Sequence, residues 1–357
     1  MSKLEFEFSI NSKRNISGWK IFLISLISVF IIVTLQYLGI KPMNIISPLP
    51  IKADILDSLR PKLEQKQNNY RLKKQTGLVE QSFAASDFDN ASSYVVVDYD
   101  SGNILFDKSP STKLSIASLT KLMTAVVALD LASPNNSFTV IPRATNIQPT
   151  IIGVKQGEVF TLEELLNAAL LTSANDASEV IRGGIDQKYG DGTFVKAMNA
   201  KATYIGLQNT HFTNPQGFDI GDNYSSAEDL AILSHYALTN YPLIAQIVKK
   251  DFASLDQTQS HRQFNLPNWN GLLNVYPGTL GLKIGNTDLA GNTSIVLSQR
   301  EGKKILAVLL GASSILNRDL WASELLDAGF EKSLGLPAIE VSEYQLRQKY
   351  LQWNSQI

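Results

Sequence analysis

The sequence lacks cysteine altogether and has only three histidines. Without Cys, the chain has no thiol nucleophile, no Cys-type zinc or iron–sulfur site, and no disulfide. Three His residues make a Ser-His-Asp triad a poor fit. A large charge of one sign is also missing, because 32 basic and 33 acidic side chains give a net charge of −1. This balance excludes a whole-chain polyanion binder, so we expect no nucleic-acid partner.

The chain is long and apolar enough to fold. Its 357 residues are 44 % hydrophobic and only 18 % charged, which excludes a disordered polymer. That length suits one large domain or two ordinary ones, with a sizeable core. The balanced total conceals an asymmetry, because residues 1–82 hold 12 basic and 6 acidic side chains whereas residues 83–357 hold 20 and 27. The N-terminal segment is therefore a different kind of polymer from the rest.

A membrane anchor is predicted first. Residues 21–40 carry no charge and consist mostly of Ile, Leu, Val and Phe. At about 1.5 Å per residue, such a run spans roughly 30 Å of hydrocarbon. Lys13, Arg14 and Lys20 precede the run, so the positive-inside rule predicts that residues 1–20 are cytoplasmic. We expect a single-pass N-terminal anchor in the cell membrane, with the remainder extracytoplasmic. A cleaved signal peptide or a buried core helix is the alternative.

Three further segments complete the predicted organisation. Residues 41–87 are rich in Pro, Gln, Asn and Lys without sustained apolar periodicity, which predicts a linker with at most one short helix. Residues 88–340 are predicted to form the globular domain, and residues 341–357 a C-terminal tail. Together with the cytoplasmic tail and the anchor, these ranges predict one folded domain outside the membrane.

The globular part begins and ends with strands. A β-rich run at 93–98 and another at 104–106 flank a turn, which predicts a hairpin. Three more strands are predicted at 279–285, 293–298 and 304–311, followed by an amphipathic helix over 316–330. Helical patterns occupy the middle, at 115–132, 162–171, 177–184 and 227–238. This order predicts an α/β (α+β) fold in which both ends of the domain build one antiparallel sheet flanked by helices, with a helical subdomain.

The first chemical motif is the S-x-x-K of Ser118 and Lys121, at the start of an apolar helical run. Residues three apart on a helix share a face, so the Lys121 amine can reach the Ser118 hydroxyl. A Lys directed into an apolar body is desolvated, which lowers its pKa and supplies a neutral amine as a base. The alternative is a surface Lys with a capping Ser. The other S-x-x-K, Ser17 and Lys20, adjoins the predicted anchor and is a coincidence.

Two more motifs follow along the chain. Ser173 and Asn175 form an S-x-N between two helical patterns, where both side chains can project into a cleft. A helix N-cap is the competing interpretation. Lys283 and Gly285 then form a K-x-G on a predicted strand, and a strand glycine indicates close backbone approach. An anion-binding strand edge and an ordinary strand with one outward Lys both remain open at this motif.

The order of the three motifs along the chain resembles the signature of a known family. An S-x-x-K, then an S-x-N and then a K-T-G form the signature of penicillin-binding proteins and class A β-lactamases. Over residues 90–335 the chain more narrowly resembles the serine D-Ala-D-Ala carboxypeptidases, the low-molecular-mass penicillin-binding proteins. The stretches that support this are Ala117–Ala125, Leu170–Ala177, Phe212–Asp219, Tyr224–Ala231 and Gly281–Gly291. The resemblance implies a β-lactamase/DD-peptidase-like fold.

The resemblance also implies roles. Ser118 would attack the carbonyl between two D-Ala residues of a peptidoglycan stem peptide, and Lys121 would take its proton. Ser173 and Asn175 would relay protons and hold the substrate amide, and Lys283 would pair with the terminal carboxylate. Gly285, Asn286 and Thr287 would complete the substrate-binding strand, with the backbone N–H groups of Ser118 and Asn286 as the oxyanion hole. No metal or cofactor is implied, and β-lactams would be inhibitors that acylate Ser118.

Two departures leave alternatives open. The family usually has Thr where Ile284 stands and often His where Gln216 stands, which motivates a catalytically weak or inactive peptidoglycan- or penicillin-binding module. A β-lactamase-like hydrolase is the other alternative. The deacylating Glu of class A β-lactamases belongs to an E-x-x-L-N after the second motif, whereas the only such string here, Glu163–Asn167, precedes it. Many members also carry a second β-rich domain and a C-terminal anchor. Because only about 20 residues follow Leu336, we expect that domain to be missing and the N-terminal helix to provide the anchor.

Overall fold

The structure is a computed structural model that describes Leu26, residues 55–74 and residues 87–354. The chain divides into two compact units, residues 1–53 and residues 54–357, and the second unit contains the fold described below. In the described part of the chain, no helix combines the length and apolar character needed to cross a membrane. The predicted anchor at 21–40 falls outside the described residues, except for Leu26.

One six-stranded sheet forms the centre of the domain, and two smaller sheets of two strands each accompany it. The strands are β1 (Lys73–Lys74), β2 (Ser93–Asp98), β3 (Asn103–Lys108), β4 (Ser137–Thr139), β5 (Val159–Thr161), β6 (Phe252–Leu255), β7 (Phe264–Pro267), β8 (Thr279–Thr287), β9 (Gly291–Arg300) and β10 (Lys303–Ala312). The order in the large sheet is β1-β3-β2-β10-β9-β8, and all its neighbouring strands run antiparallel except β1 and β3, which pair in parallel. The two small sheets are formed by β4 with β5 and by β6 with β7.

Helices fill the middle of the chain and its end. They are α1 (Ile55–Leu63), α2 (Lys121–Leu131), α3 (Pro142–Thr145), α4 (Leu162–Leu171), α5 (Asn175–Tyr189), α6 (Thr193–Ile205), α7 (Ala227–Asn240), α8 (Pro242–Ile247), α9 (Ile315–Leu334) and α10 (Glu343–Asn354). Short 3₁₀ turns occupy Asp87–Asn90 and Ala117–Thr120. The predicted sheet built from both ends of the domain is confirmed.

Helices cover both faces of the sheet, because its central strands are apolar on both. Along β10, Leu306 and Val308 pack into the core shared with the helical middle of the chain. Ile305 and Leu309, which alternate with them in sequence, face the opposite core, which contains the buried side chains of α9. Successive side chains of a strand point to opposite faces, so a strand buried on both sides reads as one continuous apolar run.

The predicted linker over 41–87 differs from the structure over residues 55–74, and residues 41–54 and 75–86 of that prediction lie outside the described residues. Helix α1 buries Leu59 and Leu63 in the main core, and Lys201 donates a hydrogen bond to the Leu63 carbonyl. Strand β1 then pairs with β3 in parallel, with Lys73 opposite Asn103. The Lys- and Gln-rich composition concealed two core leucines one helical turn apart, so residues 55–74 belong to the domain.

The predicted tail over 341–357 differs in the same way. Residues 343–354 form α10, which buries Leu346 completely against α9. The Tyr350 hydroxyl donates to Asp319 on α9 at 2.7 Å, and Lys349 pairs with Asp251. The polar exposed face of α10 hid this short helix in the sequence, and the domain continues to its last described residues.

Candidate active site

Ser118 lies in the 3₁₀ turn that leads directly into α2, and Lys121 is the first residue of that helix. The turn is tightly enclosed. A Cβ on Gly217 would lie 1.9 Å from the Ala117 carbonyl oxygen, and one on Gly285 would lie 2.7 Å from the Ser118 backbone nitrogen. Only glycine lets those two segments approach the turn so closely, and Gly285 therefore allows the K-x-G part of β8 to pass directly beside Ser118.

Lys121 is completely buried, and its side-chain nitrogen has three partners. Its Nζ lies 2.8 Å from Ser118 Oγ, 2.6 Å from Asn175 Oδ1 and 2.8 Å from the Gln216 carbonyl oxygen. Burial lowers the pKa of Lys121 well below its ordinary value, and the nearby cation of Lys283 lowers it further, while Asp176 opposes both. The predicted geometry, with Lys121 reaching Ser118 from within an apolar body, is what the structure has.

The second motif lies between α4 and α5. Ser173 has a positive φ of 62°, an uncommon conformation for a residue with a side chain, and such backbones concentrate at functional sites. Asn175 begins α5, and its Nδ2 donates to the Pro149 carbonyl at 2.6 Å while its Oδ1 accepts from Lys121. No side-chain cap accompanies the start of α5, so the alternative of a simple N-cap does not describe this motif.

Lys283 on β8 meets the second motif directly. Its Nζ donates to Ser173 Oγ and to the Ile284 carbonyl, each at 2.9 Å. Burial, together with the cation of Arg318, lowers the pKa of Lys283 to about 7. The side chain is 1 % exposed, which excludes the alternative of an ordinary strand with an outward Lys. The site therefore contains two buried amine–hydroxyl pairs, Lys121 with Ser118 and Lys283 with Ser173.

The serine of each pair, Ser118 and Ser173, borders one cavity of about 340 Å³. Ser118, Ser173 and Asn175 line it, as do Gly285, Asn286 and Thr287, so the structure brings together the predicted residues of all three motifs. Ile284 also lines the cavity, with an apolar side chain. The rest of the lining is Pro149, Thr150, Gln216, Gly217, Phe218, Asp219, Trp269 and Asp288.

Part of this lining was missed in the sequence. The loop after α3 contributes Pro149 and Thr150, and Trp269 comes from the segment after β7. Gln216 acts through its backbone carbonyl, while its side-chain amide donates to Glu179 at 2.6 Å. Loop proximity leaves no motif in a sequence, so no signal distinguished Pro149, Thr150 and Trp269, whereas Gln216 lies in the family-like stretch Phe212–Asp219 and only the role of its backbone carbonyl was hidden. Within the described residues, no cluster of three His, Cys, Asp or Glu is arranged to hold a metal ion.

Comparison with known proteins decides the family. The D-alanyl-D-alanine carboxypeptidase family matches residues 79–314. The chain belongs to the D-alanyl-D-alanine carboxypeptidase family. It is 32 % identical over 251 residues, 68 % of its length, to D-alanyl-D-alanine carboxypeptidase DacF of Bacillus subtilis. It is also 32 % identical over 245 residues, 67 % of its length, to D-alanyl-D-alanine carboxypeptidase DacB2 of Mycobacterium tuberculosis.

Solved structures agree with this family membership. The crystal structure of the Streptomyces K15 DD-transpeptidase superposes with a TM-score of 0.62 at 27 % identity, covering 67 % of this chain and 97 % of that chain. The alignments span 62 % of the Bacillus subtilis DacF sequence and 82 % of Mycobacterium tuberculosis DacB2. The predicted family and its DD-peptidase-like fold are confirmed.

Proposed function

We propose that this protein removes the terminal D-Ala of peptidoglycan stem peptides through an acyl-enzyme on Ser118. The observation that carries the proposal is the 2.8 Å contact between Ser118 Oγ and the buried Nζ of Lys121. Burial and the Lys283 cation lower the pKa of Lys121, and a neutral amine at that distance is a general base for the hydroxyl. Membership of the carboxypeptidase family supplies the substrate class.

The reaction proceeds in two halves. Ser118 Oγ attacks the carbonyl carbon of the penultimate D-Ala as Lys121 takes the hydroxyl proton, and the backbone N–H groups of Ser118 and Asn286 stabilise the oxyanion. The proton passes to the amide nitrogen as the C–N bond breaks, which releases terminal D-Ala and leaves an ester on Ser118. Water then hydrolyses the ester with Lys121 again as base. Ser173 and Asn175 relay protons and hold the substrate amide.

Residues of β8 recognise the terminal D-Ala that is released. The Lys283 Nζ contacts Ser173 Oγ at 2.9 Å, and we assign this cation to the terminal carboxylate. Thr287 lines the same cavity and brings a hydroxyl to the strand. β-Lactams present a strained amide in place of the scissile bond, so they acylate Ser118 and inhibit the enzyme.

Location completes the proposal. The charge-free run at 21–40, preceded by Lys13, Arg14 and Lys20, supports an N-terminal single-pass anchor in the cell membrane. The catalytic domain is then extracytoplasmic, on the side of the membrane where peptidoglycan lies.

One observation favours a second candidate, a weak or inactive peptidoglycan-binding module. Ile284 places an apolar side chain in the cavity where the family usually has Thr. No matching observation favours a β-lactamase. Glu163 and Asn167 lie within α4, where Asn167 Nδ2 donates to the Glu163 carbonyl at 2.8 Å and its Oδ1 accepts from Lys250 at 3.0 Å. That E-x-x-L-N is a structural feature of the helix.

Release of D-Ala from a pentapeptide ending in D-Ala-D-Ala tests the proposal. We expect release by the wild type and none above background by Ser118→Ala. Ser234→Ala is the matched control, because Ser234 is also buried and its hydroxyl donates within its own helix, to the Leu230 carbonyl. A wild type that binds penicillin but releases no D-Ala would establish the binding module instead. Rapid penicillin turnover without D-Ala release would establish the β-lactamase-like hydrolase.

A further inference from the structure

A buried carboxylate beside the second motif has no part in the mechanism above. Asp176 follows Asn175 in α5 and is only 1 % exposed. Its two oxygens accept backbone N–H bonds from three consecutive residues, 152–154, at 2.8–3.2 Å, and from Ala177 at 2.9 Å. Four donors saturate the acceptor sites of an ionised carboxylate. An acid held in this way inside a domain fixes whatever backbone it binds.

The backbone that Asp176 binds is continuous with one wall of the active-site cavity. Pro149 and Thr150 line the cavity just before residues 152–154. Their carbonyl oxygens accept from Asn175, the Pro149 oxygen from the side-chain Nδ2 at 2.6 Å and the Thr150 oxygen from the backbone N–H at 2.8 Å. Displacement of the 152–154 segment would therefore pull on the two carbonyl groups that orient Asn175.

A second charged side chain holds the same loop through its carbonyl groups. The Arg262 guanidinium, in the segment between β6 and β7, donates to the Gly153 carbonyl at 2.5 Å and pairs with Glu158 at 3.0 Å. The Asp176 carboxylate thus accepts hydrogen bonds from the N–H groups of the loop, and the Arg262 guanidinium donates a hydrogen bond to one of its carbonyl groups. The loop is clamped between a carboxylate and a guanidinium, so its geometry is fixed before any substrate arrives.

Asp176 also acts on Lys121 through its charge. Two charged groups affect the Lys121 ammonium in addition to its burial: Lys283 from β8, which lowers its pKa, and Asp176 from α5, which raises it. Asn175 links the two residues mechanically, because its Oδ1 accepts from Lys121 at 2.6 Å. One buried carboxylate therefore fixes both the position of the Asn175 amide and the electrostatic field at the catalytic amine.

We propose that Asp176 is a positioning residue of the active site, which clamps the 149–154 loop against Asn175 and balances the charge around Lys121. The inference rests on the proposed function, in which Lys121 is the base for Ser118. It predicts two separable effects of removing the Asp176 charge: a slower acylation from the displaced loop and a shifted pH dependence from the altered field.

The test is Asp176→Asn, with penicillin acylation of the full chain measured from pH 4 to 10. The new amide places a donor against N–H groups of residues 152–154, so at least one hydrogen bond is lost. We expect the acylation rate constant at its pH optimum to fall about 10–100-fold, which corresponds to the loss of about one hydrogen bond to a charged group. Loss of the anion also lowers the pKa of Lys121, so the acid limb of the profile moves to lower pH.

Asp229→Asn is the matched control. Asp229 is also buried in the first turn of a helix, α7, and accepts from the Asn209 N–H and the Thr210 hydroxyl, both at 2.7 Å. Burial raises the pKa of both carboxyls, but Asp229 does not line the cavity. We expect this variant to lose stability while its acylation rate and acid limb stay at the wild-type values. Asp176→Glu keeps the charge, so its acid limb stays in place although acylation slows.

Amide hydrogen exchange of residues 152–154 gives a readout independent of catalysis. We expect faster exchange there in Asp176→Asn and wild-type exchange in Asp229→Asn. An unmoved acid limb, or unchanged exchange at 152–154 with a rate loss no larger than in the control, would overturn the inference. A wild type that forms no acyl-enzyme would instead refute the proposed function, and the exchange at 152–154 would still decide whether Asp176 holds the loop.

Discussion

Among the single residues, Lys121 is the one whose environment determines the chemistry, because its amine is the proposed base for Ser118. Three partners within 2.8 Å and complete burial leave it no contact with bulk water. A buried amine is neutral over part of the pH range in which a free Lys is charged, because desolvation disfavours the ammonium form. Acylation therefore rises with pH through the lowered pKa of Lys121 and levels off above it.

Lys121→Arg tests this role. Arg keeps the positive charge but does not lose its proton at any usable pH, so it cannot act as the base. We expect the penicillin acylation rate to fall by about 10²–10⁴, the usual contribution of general-base catalysis. Stopped-flow or quench measurement of the acylation rate in the variant and in the wild type tests this expectation. Near-normal acylation in the variant would show that the base is another group.

Ile284 is the second residue with a specific consequence. Its side chain lines the cavity and is 6 % exposed, but it offers no hydrogen bond to a substrate carboxylate. Thr287 lines the same cavity, and its Oγ1 accepts from the Ala290 N–H at 3.2 Å. Its hydroxyl proton therefore stays available to donate to a substrate carboxylate. We expect binding of the carboxylate to be weaker than with Thr at position 284, but a hydroxyl donor remains in the cavity.

Restoring Thr at this position should therefore raise activity. A hydrogen bond to a charged group is worth about 1.5–3 kcal/mol, or about 10–150-fold in rate. Because Thr287 already supplies a hydroxyl, we expect Ile284→Thr to raise kcat/KM on D-Ala-D-Ala peptides only several-fold, which is less than that range. Ester substrates without a carboxylate serve as the control and should change little. An equal gain on both substrates would mean that the carboxylate is not what position 284 contacts.

At the scale of single residues, the sequence predicted the chemistry well and the environment poorly. The spacing of Ser118 and Lys121 predicted their contact, and the order of three motifs predicted one shared site. The acceptor role of the Gln216 carbonyl and the clamp by Asp176 were not predictable. Both depend on backbone groups of segments distant in sequence, and a backbone amide has no residue type to recognise.

Among the elements, the junction of β8 with the Ser118 turn is the most constrained. A Cβ added to Gly285 would lie 2.7 Å from the Ser118 nitrogen and 3.0 Å from both Ala117 Cβ and Thr293 Oγ1. The nearest neighbour is backbone, which cannot rotate away as a side chain does. The strand and the turn must separate if this glycine gains a methyl group.

Gly285→Ala should consequently damage the site and the fold together. Overpacking of this kind costs about 1–3 kcal/mol, and separation moves the Ser118 N–H away from the oxyanion position. We expect a lower midpoint in denaturant and an acylation rate reduced by more than about 10-fold, since one oxyanion donor contributes about 10²–10³ in rate. Wild-type acylation in this variant would mean that the turn can move without loss of the oxyanion hole. Denaturant titration and acylation kinetics on the same preparation check both effects.

Element types were largely predictable, and their ends were not. Helices over 162–171 and 227–238 match α4 and α7 closely because their apolar periodicity is strong. The pattern over 115–132 predicted one helix, whereas the structure has an irregular turn at Ala117–Thr120 before α2. Ala117 adopts a φ of 49°, a local cost that packing against Gly217 and Gly285 offsets and that periodicity does not reveal.

The whole domain is larger than the sequence indicated, because α1 and α10 pack on it from outside the predicted limits. Leu59 and Leu63 of α1 are each 2 % exposed and belong to the same core as α2. A mean composition rich in Lys and Gln predicts a solvated linker, yet two leucines at positions four apart are enough to dock a short helix. The mean composition of a segment does not reveal a few buried residues, such as these two leucines, that determine whether the segment packs against the domain.

Leu63→Ala measures this docking. Removing a buried leucine side chain costs about 2–5 kcal/mol, so we expect a clear fall in the free energy of unfolding of the domain. Arg60→Ala in the same helix is the control, because its side chain is 64 % exposed and its ion pairs are at the surface, where they contribute about 1 kcal/mol or less. Equal stability of Leu63→Ala and the wild type would show that residues 55–63 are a linker after all.

The most direct test of the account is covalent labelling by penicillin. Intact-mass measurement of the whole protein, followed by peptide mapping, should find one added acyl group and locate it on Ser118. Ser118→Ala should gain no mass under the same conditions, while Ser234→Ala should label like the wild type. Labelling that survives in Ser118→Ala, or an acyl group mapped to any other residue, would contradict the assignment of Ser118 as the nucleophile.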